Sequence, residues 1–168
     1  MVLVANGDED AFGTIVKKYL PKALSYAGRF IGVDPEEVAQ ETFVRMWKYA
    51  PLWDASKGNL TTWFYSVLSN VCYTCLKKKR SKRGEVELKG DFPREGYDIE
   101  EILIQKQRES RIRETIAYLN EREQRIIILK YFEGHSDKDI ATIMGTTVKA
   151  VETLLVRTRK KLKRFYKE

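Results

Sequence analysis

Residues 136–163 read SDKDIATIMGTTVKAVETLLVRTRKKLK. The stretch predicts two helices joined by a tight turn. Ser136 is an N-cap candidate, and Asp139 three residues on completes a capping-box pattern. Ile140, Ala141, Ile143 and Met144 form an apolar side, and Gly145, free to take positive φ, ends the first helix. Thr146 or Thr147 can cap the second. There Val148, Val151, Leu155 and Leu162 recur at helical spacing as one buried face, while Lys149, Thr153, Arg157 and Lys160 share the opposite face. A short helix, a glycine turn and a longer basic helix follow helix-turn-helix grammar, with the second helix suited to a DNA major groove. An ordinary helical hairpin with a solvated basic face fits the same spacing.

The charge balance agrees with a polyanionic partner. The 168 residues carry a formal net charge of +7, with pI near 9.3, which favours nucleic acid. The charge is segmented: residues 59–84 carry +6, residues 85–106 carry −4 and residues 107–168 carry +6. Two basic modules flank an acidic joint. The hydrophobic content of 43% is enough for real cores and excludes global disorder.

Cys72 and Cys75 form one CxxC. A zinc site needs more ligands than these, and a thioredoxin-like setting is absent, so both are read as small apolar helix residues. Two cysteines fit a reducing compartment. The start, MVLVANGDEDAF, has no basic n-region or long apolar run, so no signal peptide is expected. Residues 59–76 are uncharged, but Thr61, Thr62, Ser66, Ser69, Asn70 and Thr74 interrupt them too often for a membrane span.

From the N-terminus, Asp8 opens a helical pattern through Phe12, Ile15, Val16 and Tyr19. Pro21 is expected to kink or restart it before Ala23, Leu24, Ala27, Phe30 and Ile31, and Gly32 closes it. Asp34 then caps a helix with Pro35 at its first position and Glu36 and Glu37 in its first turn. Ala39, Phe43, Met46, Trp47 and Ala50 make its core stripe. Glu37, Gln40, Glu41, Val44 and Arg45 fall on another face, and the like charges Glu37 and Glu41 at i,i+4 favour a basic partner surface. A loop from Pro51 to Leu60 contains an exposed-looking Trp53. The helix from Thr61 to Arg83 has Phe64, Val67, Leu68, Val71 and Cys75 on one side. Thr62, Ser66, Ser69, Asn70, Tyr73 and Lys77 lie on another, followed by a lysine–arginine cluster. Hydroxyls, an amide and an aromatic ring ahead of basic residues suit nucleic acid; a half-buried helix with a basic end fits equally. Residues 84–98, rich in glycine and acidic charge, read as a linker. A further helical pattern runs from Ile99 through Ile102, Leu103, Ile112, Ile116 and Leu119. Asn120, with Glu123, caps the next helix, which ends at Gly134 and packs behind the helix-turn-helix. His135 is expected in a loop.

With these residues in view, LNEREQRIIILKYFEGHSDKDIATIMGTTVKAVETLLVRTRKKL (119–162) resembles region 4 of a sigma-70 family transcription initiation factor, the module that reads the promoter −35 element. The matching pieces are Leu119, Arg122 and Glu123; the turn Tyr131 to Gly134; Ser136, Ile140 and Ala141; and Arg157 with Arg159. GDEDAF, DPEEVAQETFVRMW and KGNLTTWFYSVLSN resemble region 2, which grips core polymerase and opens the −10 element. Two such regions and a short linker resemble the extracytoplasmic-function (ECF) group. The implied fold is all-α: a region 2 helical bundle over residues 1–83, a flexible acidic linker over 84–98, and a region 4 helix-turn-helix over 99–168.

The resemblance also implies roles. Glu37, Gln40, Glu41 and Arg45 would face the clamp helices of bacterial core RNA polymerase. Trp53, Lys57, Asn59 and Trp63 would serve −10 recognition, in and beside a loop that captures a flipped base. Asn70, Tyr73 and Lys77 would meet the DNA just upstream. Lys149, Glu152, Thr153, Val156, Arg157 and Lys160 would work at the −35 element of promoter DNA. An anti-sigma factor is the implied regulator, the location cytoplasmic, and neither catalytic residues nor cofactor nor metal is expected. Two positions depart from the family. Glu152, Thr153 and Leu154 stand where K-S-R is frequent, so Glu152 either accepts from a cytosine amino group or weakens phosphate contacts. Thr147 stands where proline is frequent. Two rivals are a free-standing helix-turn-helix regulator, which leaves the Glu37/Glu41 face unexplained, and a DNA-processing enzyme, which needs a nucleophile or metal set.

Overall fold

The computed structural model describes residues 1–30, 33–82, 111–112 and 114–165. Every regular element among them is helical, and none of their helices is long and apolar enough to cross a membrane. The proposed linker at 84–98, the positions Ile31 and Gly32, and Ile99, Ile102 and Leu103 lie outside the described residues.

Short α1 (Val2–Ala5) precedes α2 (Glu9–Ala27), which Asp8 caps by accepting from the Ala11 amide at 2.8 Å. Pro21 does not restart the helix; α2 is continuous through it. A mid-helix proline costs about 3 kcal/mol. Burial of Tyr19 and of Ala23, Tyr26 and Ala27 on either side of it holds the rod together. In α3 (Pro35–Tyr49), Asp34 accepts from the Glu36 and Glu37 amides at 2.9 and 3.2 Å, with Pro35 in the first turn. Its buried stripe is Val38, Ala39, Thr42, Phe43 and Met46. Trp47, expected in the core, is 36% exposed and packs edge-on against Phe12, ring centroids 5.0 Å apart.

The segment from Pro51 is more ordered than a plain loop. Two single 3-10 turns, Ala50–Leu52 and Ala55–Lys57, bracket Trp53, which is half-buried rather than exposed. Then α4 (Leu60–Lys82) packs on α3 with one side and on the C-terminal half with another. Phe64 is fully buried at its centre, with the rings of Tyr19, Phe43 and Tyr65 4.6, 6.3 and 5.0 Å away. Thr62 and Ser69, placed by periodicity on the polar side, are buried because α4 is covered on more than one flank. Cys72 and Cys75 lie on this helix and form no disulfide, the first buried and the second half-buried.

In the C-terminal half, Ile116 and Leu119 are buried while Ile112 is 41% exposed. Asn120 and Glu123 form a complete capping box at the start of α5 (Glu121–Ile127). Glu123 also accepts from Lys161 Nζ at 3.0 Å, which ties the start of α5 to the far end of the last helix. A π turn, Ile128–Phe132, extends α5. The helix-turn-helix follows as α6 (Asp137–Met144) and α7 (Val148–Phe165). Ser136 caps α6 by accepting from the Asp139 amide at 3.1 Å, but the box is not reciprocal. The shorter Asp139 carboxylate takes the Ser136 hydroxyl at 2.6 Å instead. Gly145 sits at φ 63° and closes α6: the Thr146 amide donates to Ala141 O and the Gly145 amide to Thr142 O, a Schellman arrangement. Thr147 caps α7 through the Ala150 amide at 3.2 Å. On α7, Val151 and Leu155 are buried and Leu162 half-buried, whereas Val148 is 40% exposed at the edge of the stripe. Thr158 takes the remaining core position, its hydroxyl donating to Leu154 O at 2.8 Å.

His135 lies outside any helix, half-buried, with its ring 4.5 Å edge-on to Tyr65. Burial pushes its pKa below the usual histidine value, against Asp139 and Glu133, which raise it; Lys22 lowers it further.

Two outcomes are expected. Phe64→Ala should cost about 3–5 kcal/mol, read from denaturant midpoints. His135, with a folded pKa below its unfolded value near 6.5, stabilises fully above that value and loses the contribution as pH falls toward the folded pKa. The stability of the wild type should therefore drop more between pH 7 and 5.5 than that of His135→Asn, measured by thermal melts.

Candidate nucleic-acid interface

The outward face of α7 gathers the whole −35 set: Lys149, Glu152, Thr153, Val156, Arg157 and Lys160 are all exposed. The Thr153 hydroxyl donates back to Lys149 O at 2.8 Å, so in this conformation its oxygen presents lone pairs outward. Lys149, Thr153 and Arg157 line a groove with Asn120, Arg122 and Leu154. Arg122 and Asn120 were absent from the sequence-based set. Their place in an LxxRE start was visible, but not that the start of α5 abuts the turn leading into α7. The groove offers three guanidinium or ammonium groups beside a helix start, a suitable cradle for a phosphate backbone. Glu152 is exposed on the same helix but does not line this groove.

The α3 candidates also converge. Glu37, Gln40, Glu41 and Arg45 line a groove between α3 and α4, joined there by Val44, Val71, Thr74, Cys75 and Lys78. Arg45 Nε and Glu41 Oε1 pair at 2.6 Å, both side chains well exposed. Such an exposed i,i+4 pair contributes only about 0.3–0.5 kcal/mol, so a partner can exchange it readily. Val44, 56% exposed, supplies an apolar centre to the polar rim. The half-buried Thr74 and Cys75 and the exposed Lys78 of α4 were missed because they share a groove only once α3 and α4 pack.

The −10 candidates are more dispersed. Trp53 is half-buried, and its Nε1 is buried without a hydrogen-bond partner among the described residues. Asn59 is exposed, and its Oδ1 accepts from the Thr62 amide at 2.8 Å, capping α4. Trp63 is half-buried against the core. The Lys57 side chain lies outside the described residues. Farther along α4, Lys77 stands 5.7 Å over the Tyr73 ring. Asn70 Oδ1 accepts from Arg125 Nη2 at 3.0 Å, and the Arg125 guanidinium lies 5.6 Å over Tyr73. The structure therefore brings a residue of the other half onto two of the −10 candidates. No group of three or more metal-ligating side chains occurs among the described residues.

Comparison with known proteins matches residues 15–82 to the family described as Sigma-70 region 2 and residues 109–162 to that described as Sigma-70, region 4. The chain is 26% identical over 172 residues to the ECF RNA polymerase sigma factor SigW of Bacillus subtilis (strain 168), covering 96% of this chain and 91% of SigW. Among solved structures it is similar to CnrH in complex with the cytosolic domain of CnrY. The TM-score is 0.71 at 24% identity, covering 99% of this chain and 94% of that one. It is also similar to the sigma factor RpoE in complex with the anti-sigma factor NepR from Bartonella quintana, with a TM-score of 0.70 at 19% identity, covering 94% and 97%.

The groove predicts a salt signature. Arg122→Ala and Arg157→Ala should each weaken binding to duplex DNA and reduce the slope of log affinity against log salt by about one. Fluorescence anisotropy titrations between low and moderate salt check both.

Proposed function

The chain belongs to the sigma-70 family as an ECF-type sigma factor, a transcription initiation factor that binds core RNA polymerase and directs it to promoters, and we propose which of its residues do this. The observation that carries the assignment of roles is the convergence of two implied sets, the polymerase set in the α3–α4 groove and the −35 set on the outward face of α7. These two faces lie on different halves of the chain and are built by different elements; the α7 face is mainly basic, whereas the α3–α4 groove sets Glu37 and Glu41 beside Arg45 and Lys78.

On this reading the α3–α4 groove meets the polymerase clamp. Glu37, Gln40 and Glu41 offer acceptors to a basic helix pair, Arg45 trades its partner Glu41 for the polymerase, and Val44 seals the centre. The face of α7 enters the major groove at the −35 element. Lys149, Arg157 and Lys160, with Arg122, hold phosphates, while Glu152, Thr153 and Val156 meet base edges. Glu152 suits a cytosine amino donor, and Val156 suits a thymine methyl. The segment from Trp53 to Leu60, with Trp63, serves the −10 element, and Asn70, Tyr73 and Lys77 serve the DNA just upstream. Residues 1–83 would form the region 2 domain and residues 99–168 the region 4 domain, with 84–98 between them. The chemistry of RNA synthesis belongs to the polymerase, and the factor works in the cytoplasm, where the DNA is. The RpoE complex with NepR supports an anti-sigma factor as regulator here as well. A partner of that kind can act by covering either face.

The decisive test is capture of core RNA polymerase from the organism of origin. Glu37→Lys with Glu41→Lys should abolish capture and run-off transcription while leaving DNA binding by the α7 face intact. Capture by the double variant at wild-type level would move the polymerase interface elsewhere.

A further inference from the structure

Two residues that the fold brings together have no part in the roles assigned above. Arg159 Nε donates to the Tyr131 hydroxyl at 2.6 Å, and the Arg159 guanidinium lies 5.7 Å from the ring centroid. Tyr131 is 53% exposed, and Arg159 is exposed. Tyr131 belongs to the π turn, a kind of turn that recurs at functional positions. The residues after it serve other contacts: the Arg29 guanidinium sits 4.3 Å over the Phe132 ring, and Glu133 accepts from the Tyr65 hydroxyl and lies 3.8 Å from Arg29 Nε.

The pair lies on a flank of α7 that the DNA-facing groove leaves unused. Arg157 and Arg159 are two residues apart, so they point about 160° apart around the helix. Arg157 lines the groove with Asn120 and Arg122, whereas Arg159 meets Tyr131 on the other flank. The course of α5 accounts for this. It packs behind α7, where Ile126, Ile128 and Leu129 share a core with Val151 and Leu155, and its two ends emerge on the two flanks. Arg122 stands at one end and Tyr131 at the other, about 13 Å along a helical rod. The major groove of B-DNA is about 12 Å wide, and a helix with its side chains is about 10–12 Å across. A helix lying in that groove therefore meets both sugar–phosphate walls.

The free hydrogens of the pair suit a phosphate. With Nε given to Tyr131, the N–H groups on both Nη atoms have no partner among the described residues. The Tyr131 oxygen accepts from Arg159, so its own hydrogen is free to donate outward. Their mutual bond also sets the plane of the guanidinium, which reduces the freedom lost when an anion arrives. Guanidinium and hydroxyl donors converging on one exposed point match the non-bridging oxygens of a phosphodiester. Lys163, about one turn on, is exposed and adds charge of the same sign, and the one carboxylate that α7 carries, Glu152, lies about two turns away.

Resting on the sigma-factor reading, which sends α7 into the major groove, we propose that Tyr131 and Arg159 form a second backbone clamp. It holds a phosphate on the strand opposite to the one held by Arg122 and Arg157. Together the two clamps fix the roll of α7 about its own axis, and so decide that Glu152, Thr153 and Val156 meet the bases. Tyr131 and Arg159 are positioning residues: they read no base, and their loss weakens binding to all sequences alike.

The test uses holoenzyme, the chain joined to core polymerase, on a promoter fragment found by run-off transcription. Arg159→Ala should reduce the slope of log affinity against log salt by about 0.9, as one lost phosphate contact requires. Arg159→Lys should keep the slope and lose affinity several-fold, because lysine carries the charge without the fork. Tyr131→Phe should also keep the slope and lose affinity a few-fold, since one hydrogen bond goes. Ethylation interference should lose one phosphate with Arg159→Ala and another, on the opposite strand, with Arg122→Ala. Both side chains of the pair are exposed, so these variants should fold, and core capture at wild-type level checks that. An Arg159→Ala holoenzyme with the wild-type slope and ethylation pattern overturns the proposal, as does loss of a phosphate on the same strand as that of Arg122. Unchanged DNA binding, with loss of contact to an acidic protein, gives the flank to a protein partner and overturns it equally. Failure of the sigma-factor reading shows separately, as a wild type that captures no core. The clamp is then read from the chain alone on a mixed-sequence duplex, where Arg159→Ala should lower the salt slope by the same amount and an unchanged slope overturns it.

Discussion

Helix α4 has to satisfy two sets of neighbours, and that requirement shapes the rest of the chain. On one flank α2 and α3 close over Phe64, Leu68 and Val71; on another the C-terminal half closes over Ser69. A rod covered on several sides has little room for charge, because an ionised group there would lose hydration without recovering it. That is the physical reason residues 59–76 carry none. The polar groups that remain are small, and they are met. Thr61 hydrogen-bonds the Tyr19 hydroxyl at 2.8 Å, and Ser69 takes Arg125. The same shortage of charge that resembles a membrane segment in a hydropathy scan is here the mark of a helix shared by two halves.

Much of the architecture was legible because it is written in local chemistry. Asp8, Asp34, Asn120 and Ser136 cap the helices expected of them, Gly145 takes the left-handed turn, and the basic side of α7 faces outward. The misses share one cause. Periodicity assigns a helix one buried side, so Thr62 and Ser69 were placed on the polar side although both are buried. Val148 was placed inside although it sits at the edge of the stripe. The true inner position, Thr158, looked polar until its hydroxyl was seen folded onto Leu154 O. Pro21 was expected to kink or restart a helix that in fact continues through it, with buried residues on both sides. The roles of Arg122 and Arg125 could not be read from the chain, since each depends on which elements lie beside α5 in space.

The distribution of charge follows from the same packing. The α3–α4 groove keeps its carboxylates at the rim, where the Glu41–Arg45 pair remains hydrated and easily exchanged. The α7 groove keeps its cations clear of the core because Glu123, nearly buried, already draws Lys161 inward at the back of the helix. Lys161 and Lys160 are neighbours in sequence with separate tasks: one fastens α7 to α5, and the other stays outside. Glu123 of the capping box thus serves both the start of α5 and the attachment of α7, whose buried residues Val151, Leu155 and Thr158 fix the side it turns outward.

The π turn at Ile128–Phe132 has a consequence for how this chain can change over evolutionary time. A π turn holds one residue more than the α-helical turn it replaces, through bonds such as that from the Glu133 amide to Ile128 O. Deleting a single residue there would let α5 continue as ordinary helix, an inexpensive change for the backbone. It would also turn Phe132, Glu133 and His135 by about 100° about the helix axis, away from Arg29 and Tyr65. Insertions and deletions at this point are therefore a one-step route by which descendants of this sequence could loosen or tighten the grip between their halves.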